Sequence, residues 1–134
     1  MTFLAETGSN HVVAMDGAPE AGGRNLAPRP MEMVLVGTGA CSASDVVVIL
    51  KKSGQDVTGC EVKITSERAQ TDPKVFTKIH MHFTVRGRKL PAAAVERAIA
   101  MSHEKYCSAS AMLAKTAEMT TSFDLLEDGE GAAG

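Results

Sequence analysis

A long apolar stretch beginning at Pro30 constrains the fold more than any other feature of the chain. Pro30 suits the first helical position, where its missing N–H has no cost. Lys51 and Lys52 suit the negative C-terminal end of a helix, and Gly54 follows where a helix stops. The sequence therefore predicts one helix from Pro30 to about Ser53. Because apolar residues lie on most of its sides, we expect this helix to be buried.

The other hydrophobic patterns predict strands and two further helical segments. Apolar runs and period-two alternation predict strands at residues 2–5, 11–15, 57–68, 74–86 and 119–126. Helical character is expected over residues 91–106 and 108–118, with a break near Cys107. The predicted fold class is α+β, an antiparallel sheet with a long buried central helix in a single domain over residues 1–126. The acidic, Gly/Ala-rich residues 127–134 are predicted to form a disordered tail.

Composition and charge exclude several classes of protein. The chain has 134 residues, 44% of them hydrophobic, which is the size and apolar content of one domain. Its net charge is −2 without a Lys/Arg cluster, which argues against nucleic acid and against polybasic membrane attachment. It has no uninterrupted run of about 18 apolar residues and no basic, apolar leader. We therefore expect a cytoplasmic protein without nucleic-acid or membrane partners.

Three cysteines make thiol chemistry the first functional question. A reducing cytosol keeps thiols free, so a cysteine pair there is more often catalytic than structural. Cys60 lies on the apolar face of a predicted strand, and we interpret it as a small hydrophobic residue. Cys41 and Cys107 each lie in a helix-favouring segment. The spacing of the three cysteines matches no zinc pattern, and we expect no metal.

Two segments around these cysteines resemble a known family. Residues 30–47 read PMEMVLVGTGACSASDVV, and residues 103–113 read HEKYCSASAML. Together they resemble the OsmC/Ohr superfamily of thiol-dependent hydroperoxide reductases, most closely its YhfA-like branch, and the resemblance covers about residues 2–126. It implies an OsmC-like fold and an intertwined homodimer whose sites lie between subunits. It also implies an organic hydroperoxide substrate, an external dithiol reductant and no cofactor, with Cys41 as the peroxidatic thiolate and Cys107 as the resolving thiol.

The residues that would activate the thiol depart from the family pattern. Family members place an Arg, held by a Glu, beside the reactive Cys. Here the acidic residue is displaced by one position, to Glu32. The spacing from Glu32 to Cys41 corresponds to a rotation of about 180° around the helix axis, so the two side chains are expected on opposite faces of the helix. The early strands contain no Arg, which leaves Arg24 and Arg29 as the nearby substitutes.

Two further groups could influence the thiols. Asp45 follows Cys41 by one helical turn, where a carboxylate disfavours a thiolate unless it is neutralised. His103 precedes Cys107 by four residues, so an uninterrupted helix would make them neighbours, and an imidazolium there would stabilise a thiolate. A solvent-exposed His near a helix end is the alternative interpretation of His103.

Other candidate motifs are interpreted as structural. His80 and His82 share one strand face at a spacing that can ligate a metal, but that face is polar, which favours solvated histidines. Gly37-Thr38-Gly39 lies within a helix and lacks the third Gly of a nucleotide-binding motif.

Three functions remain open from the sequence. The leading hypothesis is a cysteine-based peroxidase that reduces organic hydroperoxides. The second is a redox-responsive or small-molecule-binding dimer with little or no peroxidase turnover, favoured by the missing Arg and the displaced Glu. The third is a structural dimer whose buried thiols are inert.

Overall fold

The computed structural model describes residues 1–128, which form two compact units, residues 1–37 and the residues from Thr38 onward. Helix α1 (Pro30–Lys52) begins in the first unit and ends in the second. It ends where the sequence predicts, because Gly54 adopts a left-handed φ of 81° and its N–H donates to the Lys51 carbonyl at 3.1 Å. The assignment of residues 1–126 to a single domain remains a prediction.

The first unit contains the predicted N-terminal hairpin. Strands β1 (Thr2–Glu6) and β2 (Val12–Asp16) pair in antiparallel register, from Thr2 opposite Asp16 to Glu6 opposite Val12. Each strand extends one residue beyond its predicted end. A single 3-10 turn, Pro19–Ala21, forms part of the loop that leads to α1.

A buried carboxylate organises that loop. Asp16 is 2% exposed, and its side chain accepts the backbone N–H groups of Gly17 at 2.8 Å, Arg24 at 3.2 Å and Leu26 at 3.1 Å. Burial opposes the charge, but these hydrogen bonds outweigh it and lower the pKa of Asp16. The resulting stabilisation is present above the ordinary Asp pKa of about 3.9 and is lost as the pH falls through the lowered value.

The second unit contains a three-stranded sheet in the order β3-β4-β5. Its strands are β3 (Asp56–Arg68), β4 (Phe76–Arg88) and β5 (Glu118–Glu127). Strands β3 and β4 form the predicted antiparallel hairpin. Strand β5 pairs in parallel with β4, so the sheet is mixed rather than purely antiparallel. The helical connection between β4 and β5 explains the parallel pairing. It returns the chain to the end of the sheet where β4 begins, so β5 runs in the same direction as β4.

Strand β5 also corrects the predicted start of the tail. Glu127 belongs to the strand, and its carboxylate accepts the Lys89 N–H at 3.1 Å. The N–H of Asp128 then donates to the Gly87 carbonyl at 2.8 Å. Residues 127 and 128 are therefore ordered by the sheet, and the rest of the predicted tail lies outside the described residues.

The connection between β4 and β5 is helical over most of the first predicted segment, and its second helix is shorter than predicted. Helix α2 (Ala92–Met101) continues into a π-helical turn (Ser102–Tyr106), and Cys107 is extended with φ −75° and ψ 103°. Helix α3 (Ser108–Leu113) follows it. The extended Cys107 separates the π-helical turn from α3, which confirms the break predicted near this residue.

The core of the second unit is aliphatic. The period-two face predicted on β4 is buried, and α1 contributes a stripe with helical spacing rather than burial on most sides. The buried residues of β4 are Ile79, Met81, Phe83 and Val85, and those of α1 are Thr38, Gly39, Ser42, Val46 and Leu50. A Cβ at Gly39 would meet the Ile64 Cδ1 atom at 2.6 Å, so this part of α1 approaches β3 closely.

The length and hydrophobicity of helix α1 are relevant to the expectation that the protein has no membrane partner. By length and composition alone it is long and apolar enough to cross a membrane. Core helices of globular domains meet the same criterion, and the buried stripe of α1 includes the polar Ser42. The requirement for an uninterrupted apolar run, which was applied to the sequence, therefore underestimates the hydrophobicity of α1.

Two strand glycines provide a test of the sheet. A Cβ at Gly87 would overlap the Asp56 carbonyl oxygen, a backbone atom held by the β3–β4 pairing, whereas a Cβ at Gly59 would meet only the Arg86 Cδ atom at 3.6 Å. We expect Gly87→Ala to lower the free energy of unfolding by about 2 kcal/mol or more, and Gly59→Ala to change it by less than about 1 kcal/mol. Urea denaturation measures both, and equal effects would contradict the described packing.

Candidate functional site

Helix α1 places Cys41 and Asp45 on one face. They are one turn apart, and both side chains are half-buried. Ser42, beside Cys41 in the sequence, lies on the buried stripe of the same helix and is 1% exposed. The helix thus presents a thiol and a carboxylate together, with a buried hydroxyl next to them.

The second thiol lies at the junction after the π-helical turn. The Cys107 N–H donates to the Ser102 carbonyl at 2.8 Å, a bond that spans five residues and forms the wide turn. Cys107 is then the N-cap of α3, and its Sγ accepts the Ser110 N–H at 3.4 Å. The residue is 2% exposed. Its sulphur is therefore fixed by the backbone on both sides.

These elements bring three functional groups together. The Cys41 Sγ, one Asp45 carboxylate oxygen and the Cys107 Sγ all lie within 4.8 Å of one another. Cys41 and Cys107 were predicted to act as a pair, and the structure places them side by side. Asp45, predicted only as a neighbour of Cys41, lies beside both sulphurs.

A buried chain of hydroxyl groups holds the carboxylate in place. The Ser102 hydroxyl donates to the Asp45 Oδ2 atom at 3.1 Å, and the Ser42 and Ser102 hydroxyls are 2.9 Å apart. Because Ser102 gives its only proton to Asp45, the Ser42 hydroxyl is the donor to Ser102. Sequence reasoning missed both serines; the sole signal was a small polar residue within an apolar helix.

The environment of Cys107 favours the protonated thiol. Burial raises the pKa of Cys107, and Ser110, whose N–H donates to the Cys107 sulphur, only partly offsets this effect. A hydrogen bond and charge repulsion from Cys41 raise the pKa of Cys107 further. The neutral thiol therefore stabilises the fold below the ordinary thiol pKa of about 8.5, and this contribution is lost as the pH rises through the raised value.

His103 does not have the position that the sequence predicted. The prediction required an uninterrupted helix to Cys107, and the π-helical turn followed by an extended residue interrupts it. The His103 Nδ1 atom is buried and has no hydrogen-bond partner among the described residues. The uninterrupted helix on which that prediction depended is therefore wrong, and a role for His103 at Cys107 remains a prediction.

The candidate activating residues of the first unit form a local arrangement. Glu32 accepts the Arg29 backbone N–H at 2.8 Å, and their side chains form an exposed ion pair with 3.7 Å between the Arg29 Nη1 and Glu32 Oε1 atoms. Arg24 contributes its backbone N–H to Asp16. The participation of Glu32, Arg24 and Arg29 in thiol activation remains a prediction.

The remaining candidates from the sequence are Cys60 on β3 and His80 and His82 on β4, which are not part of this cluster. Cys60 is half-buried, and burial, followed by the charge of Glu61, raises the pKa of Cys60.

The two strand histidines bond to strand β5 rather than only to solvent. His80 contacts the hydroxyls of Thr120 at 2.7 Å and Ser122 at 2.8 Å. His82 contacts the Ser122 hydroxyl at 2.6 Å and the Asp124 carboxylate at 3.0 Å. Their interpretation as purely solvated residues was therefore incomplete.

Alkylation of the native protein tests the environment of Cys107. We expect the pH midpoint for reaction of Cys107 with iodoacetamide to lie above the ordinary thiol pKa of about 8.5, because burial disfavours the thiolate. Ser110→Ala removes a hydroxyl that favours the charged form and should move the midpoint further upward. Mass spectrometry of each cysteine-containing peptide, in buffer with a chelator, measures both. A midpoint at or below the ordinary value would contradict this assignment.

Comparison with known proteins gives the family. The family described as OsmC-like protein matches residues 22–122, a range that contains all of α1 and both cysteines of the cluster. Protein YhfA of Escherichia coli (strain K12) is 52% identical over 126 residues, which cover 94% of this chain and 91% of that protein. A hypothetical protein from Aquifex aeolicus VF5 is 30% identical with a TM-score of 0.81, over 94% of this chain and 88% of the other. An organic hydroperoxide resistance protein OsmC from Legionella pneumophila shares the fold with a TM-score of 0.67 and 18% identity, over 92% and 95% of the two chains. This chain belongs to the OsmC-like protein family.

Proposed function

We propose that the protein is a cysteine-based peroxidase of the OsmC/Ohr type that reduces organic hydroperoxides to alcohols. Cys41 is the nucleophile and Cys107 the resolving thiol. The observation that carries the proposal is the approach of the two sulphurs to within 4.8 Å of each other. Membership of the OsmC-like family supports it, and so does the fold shared with a protein named for organic hydroperoxide resistance.

The first step uses the two sulphurs in different protonation states. The Cys41 thiolate attacks the terminal oxygen of the hydroperoxide, its electron pair forms the S–O bond, and the O–O bond breaks. The departing alkoxide requires a proton. The Cys107 thiol is the neighbouring donor, because its raised pKa keeps it protonated. The products are the alcohol, a Cys41 sulfenic acid and a Cys107 thiolate.

The second step closes the disulfide. The new Cys107 thiolate attacks the sulfenic sulphur of Cys41, the S–S bond forms as the S–O bond breaks, and the departing hydroxide is protonated by a buffer acid to give water. The sulphurs must move from within 4.8 Å to the disulfide length of about 2.05 Å. An external dithiol then reduces the disulfide and restores both thiols. This cycle needs no metal or organic cofactor, and the reducing cytoplasm is the compartment that would supply the dithiol.

The second candidate function is a redox-responsive or small-molecule-binding dimer with little turnover. Among the described residues of the second unit, the hydrogen bond found on a sulphur of the cluster comes from the Ser110 backbone N–H and not from an Arg, Lys or His side chain of the kind that activates reactive thiols. A cavity of about 510 Å³, lined in part by Asp45, Val48, Arg97 and Tyr106, offers room for a small molecule beside the cluster. In this alternative the thiols sense an oxidant or a ligand.

A homodimer is part of either function. Helix α1 exposes apolar side chains, including Val36 at 56% and Val48 at 44%. A helix this apolar is expected to bury its exposed face against another chain, and family membership supports a dimer. We infer that a second copy of this chain covers α1.

Thiol consumption tests the peroxidase. We expect tert-butyl hydroperoxide to remove free thiols from the reduced protein at least about 100-fold faster than from a small free thiol, and faster than hydrogen peroxide does, because a positioned acid assists the leaving alkoxide. Cys41→Ser should abolish the fast reaction. Cys107→Ser should stop it at a sulfenic acid that dimedone traps.

Cys60→Ser is the matched control for this experiment, since Cys60 is a free cysteine outside the cluster. It should leave the rate unchanged. Thiol loss no faster than for a small free thiol would reject the peroxidase and favour the sensing or binding function.

Sedimentation velocity tests the dimer. The wild-type protein should sediment with the mass of two chains, and Val48→Glu should raise the dimer dissociation constant at least about tenfold, because it places a charge on the exposed face of α1. Val75→Glu, at a valine of similar exposure (37%) in the β3–β4 loop, is the control and should leave association unchanged. A monomeric wild-type protein would contradict the proposal.

A further inference from the structure

The cluster of Cys41, Asp45 and Cys107 has the donor atoms of a metal site as well as those of a redox pair. Two sulphurs and one carboxylate oxygen lie within 4.8 Å of one another, on helix α1 and at the N-cap of α3. We propose that these three residues bind a thiophilic divalent cation of the Zn²⁺ and Cd²⁺ class. The spacing of the cysteines along the chain concealed this arrangement, because the ligands come from segments that only the fold brings together.

The distances suit a tetrahedral ion. With Zn–S bonds of about 2.3 Å and Zn–O bonds of about 2.0–2.2 Å, ligand atoms in a tetrahedral site lie about 3.4–3.8 Å apart. The observed separations, all within 4.8 Å, require the donors to close by about 1 Å at most. Side-chain rotation of the half-buried Cys41 and Asp45 can supply that movement, while the backbone fixes Cys107.

The donor set selects the class of ion. Two thiolates favour a soft or borderline cation and disfavour Mg²⁺ and Ca²⁺, which prefer oxygen ligands throughout. Three protein ligands leave a fourth tetrahedral position for water or an exogenous ligand, as in open zinc sites. The charge of the cation also offsets the negative charges that the two thiolates and the carboxylate would otherwise hold close together.

Neighbouring groups hold the proposed ligands through hydrogen bonds. The Ser102 hydroxyl donates to the Asp45 Oδ2 atom at 3.1 Å and leaves the other carboxylate oxygen available to a cation. Ser42 donates in turn to Ser102, and both serines are buried. The Ser110 N–H donates to the Cys107 sulphur at 3.4 Å. Such outer hydrogen bonds orient metal ligands and raise affinity.

Metal binding does not require peroxidase activity. It would, however, regulate a peroxidase that uses the same thiols. Binding requires only the reduced thiols, so it can be present in a protein without peroxide turnover. If the proposed peroxidase is correct, the cation and the hydroperoxide compete for the same thiolates. Oxidation of both thiolates by the hydroperoxide, which takes up two electrons and two protons to give alcohol and water, would form the disulfide and release the cation.

Titration of the reduced, full-length protein with Zn²⁺ and Cd²⁺ under anaerobic conditions tests the proposal. We expect one Zn²⁺ per chain by competition with a chromogenic chelator, and an ultraviolet thiolate-to-Cd²⁺ charge-transfer band with the intensity of two thiolates. Cys41→Ser and Cys107→Ser should each halve that band and weaken Zn²⁺ binding by more than the roughly 10- to 100-fold range of outer-shell changes. Asp45→Asn should weaken Zn²⁺ binding and keep both thiolates in the band. Ser102→Ala should weaken binding about tenfold.

Cys60→Ser is the control and should change neither the affinity nor the band. Circular dichroism of each variant establishes that it is folded; if Cys107→Ser does not fold, Cys41→Ser and Asp45→Asn decide the question. Binding that depends on Cys60, or binding of the wild-type protein no tighter than that of Cys41→Ser, would overturn the proposal. Because no peroxide is present, these outcomes are separate from the failure of the peroxidase.

Discussion

The buried hydrogen bonds from Ser42 to Ser102 and from Ser102 to Asp45 are the interaction on which the site depends. They join helix α1, which carries the first thiol, to the π-helical turn, which leads to the second. Ser42, Ser102 and Asp45 each have a partner in this network, so the cost of burying their polar groups without one is avoided. The same bonds fix the direction of the Asp45 carboxylate. Without them the two cysteine-bearing segments would have only apolar packing to set their distance, and apolar packing is non-directional.

The π-helical turn gives the second thiol its particular environment. The bond from the Cys107 N–H to the Ser102 carbonyl spans five residues instead of four, which ends α2 and leaves Cys107 extended. Cys107 is therefore free to cap α3, with the Ser110 N–H directed at its sulphur. A continuous helix would have directed that sulphur differently and placed His103 beside it. The wider turn thus leaves Cys107 as a buried thiol whose sulphur accepts a backbone N–H and whose pKa is raised by burial.

Sequence patterns predicted the elements better than their connections. The ends of α1 follow from Pro30 and Gly54, and the buried face of β4 follows from strict alternation, because these signals are local. The parallel pairing of β5 was missed, since strand direction depends on the path of the intervening chain rather than on the strand itself. Asp16 and Ser102 were missed for a related reason. Most of their partners are distant in the sequence: the backbone N–H groups of Arg24 and Leu26 for Asp16, and the Ser42 hydroxyl and Asp45 carboxylate for Ser102. An isolated Asp or Ser in a sequence looks the same whether it lies on the surface or in a buried network.

Charge is the common constraint on everything that the cluster can do. Two negative charges within 4.8 Å of each other repel by at least about 3 kcal/mol at an effective dielectric constant near 20, so a charged carboxylate together with two thiolates calls for a compensating charge. A proton on Cys107 is one compensation, and it is the state that the proposed peroxidase uses first, because the proton moves to the leaving alkoxide. A divalent cation is the other, because it permits both thiolates at once. Disulfide formation removes the same two charges by oxidation. The protonated, metal-bound and oxidised forms are therefore three solutions to one electrostatic problem, which arises because the Asp45 carboxylate lies beside both sulphurs.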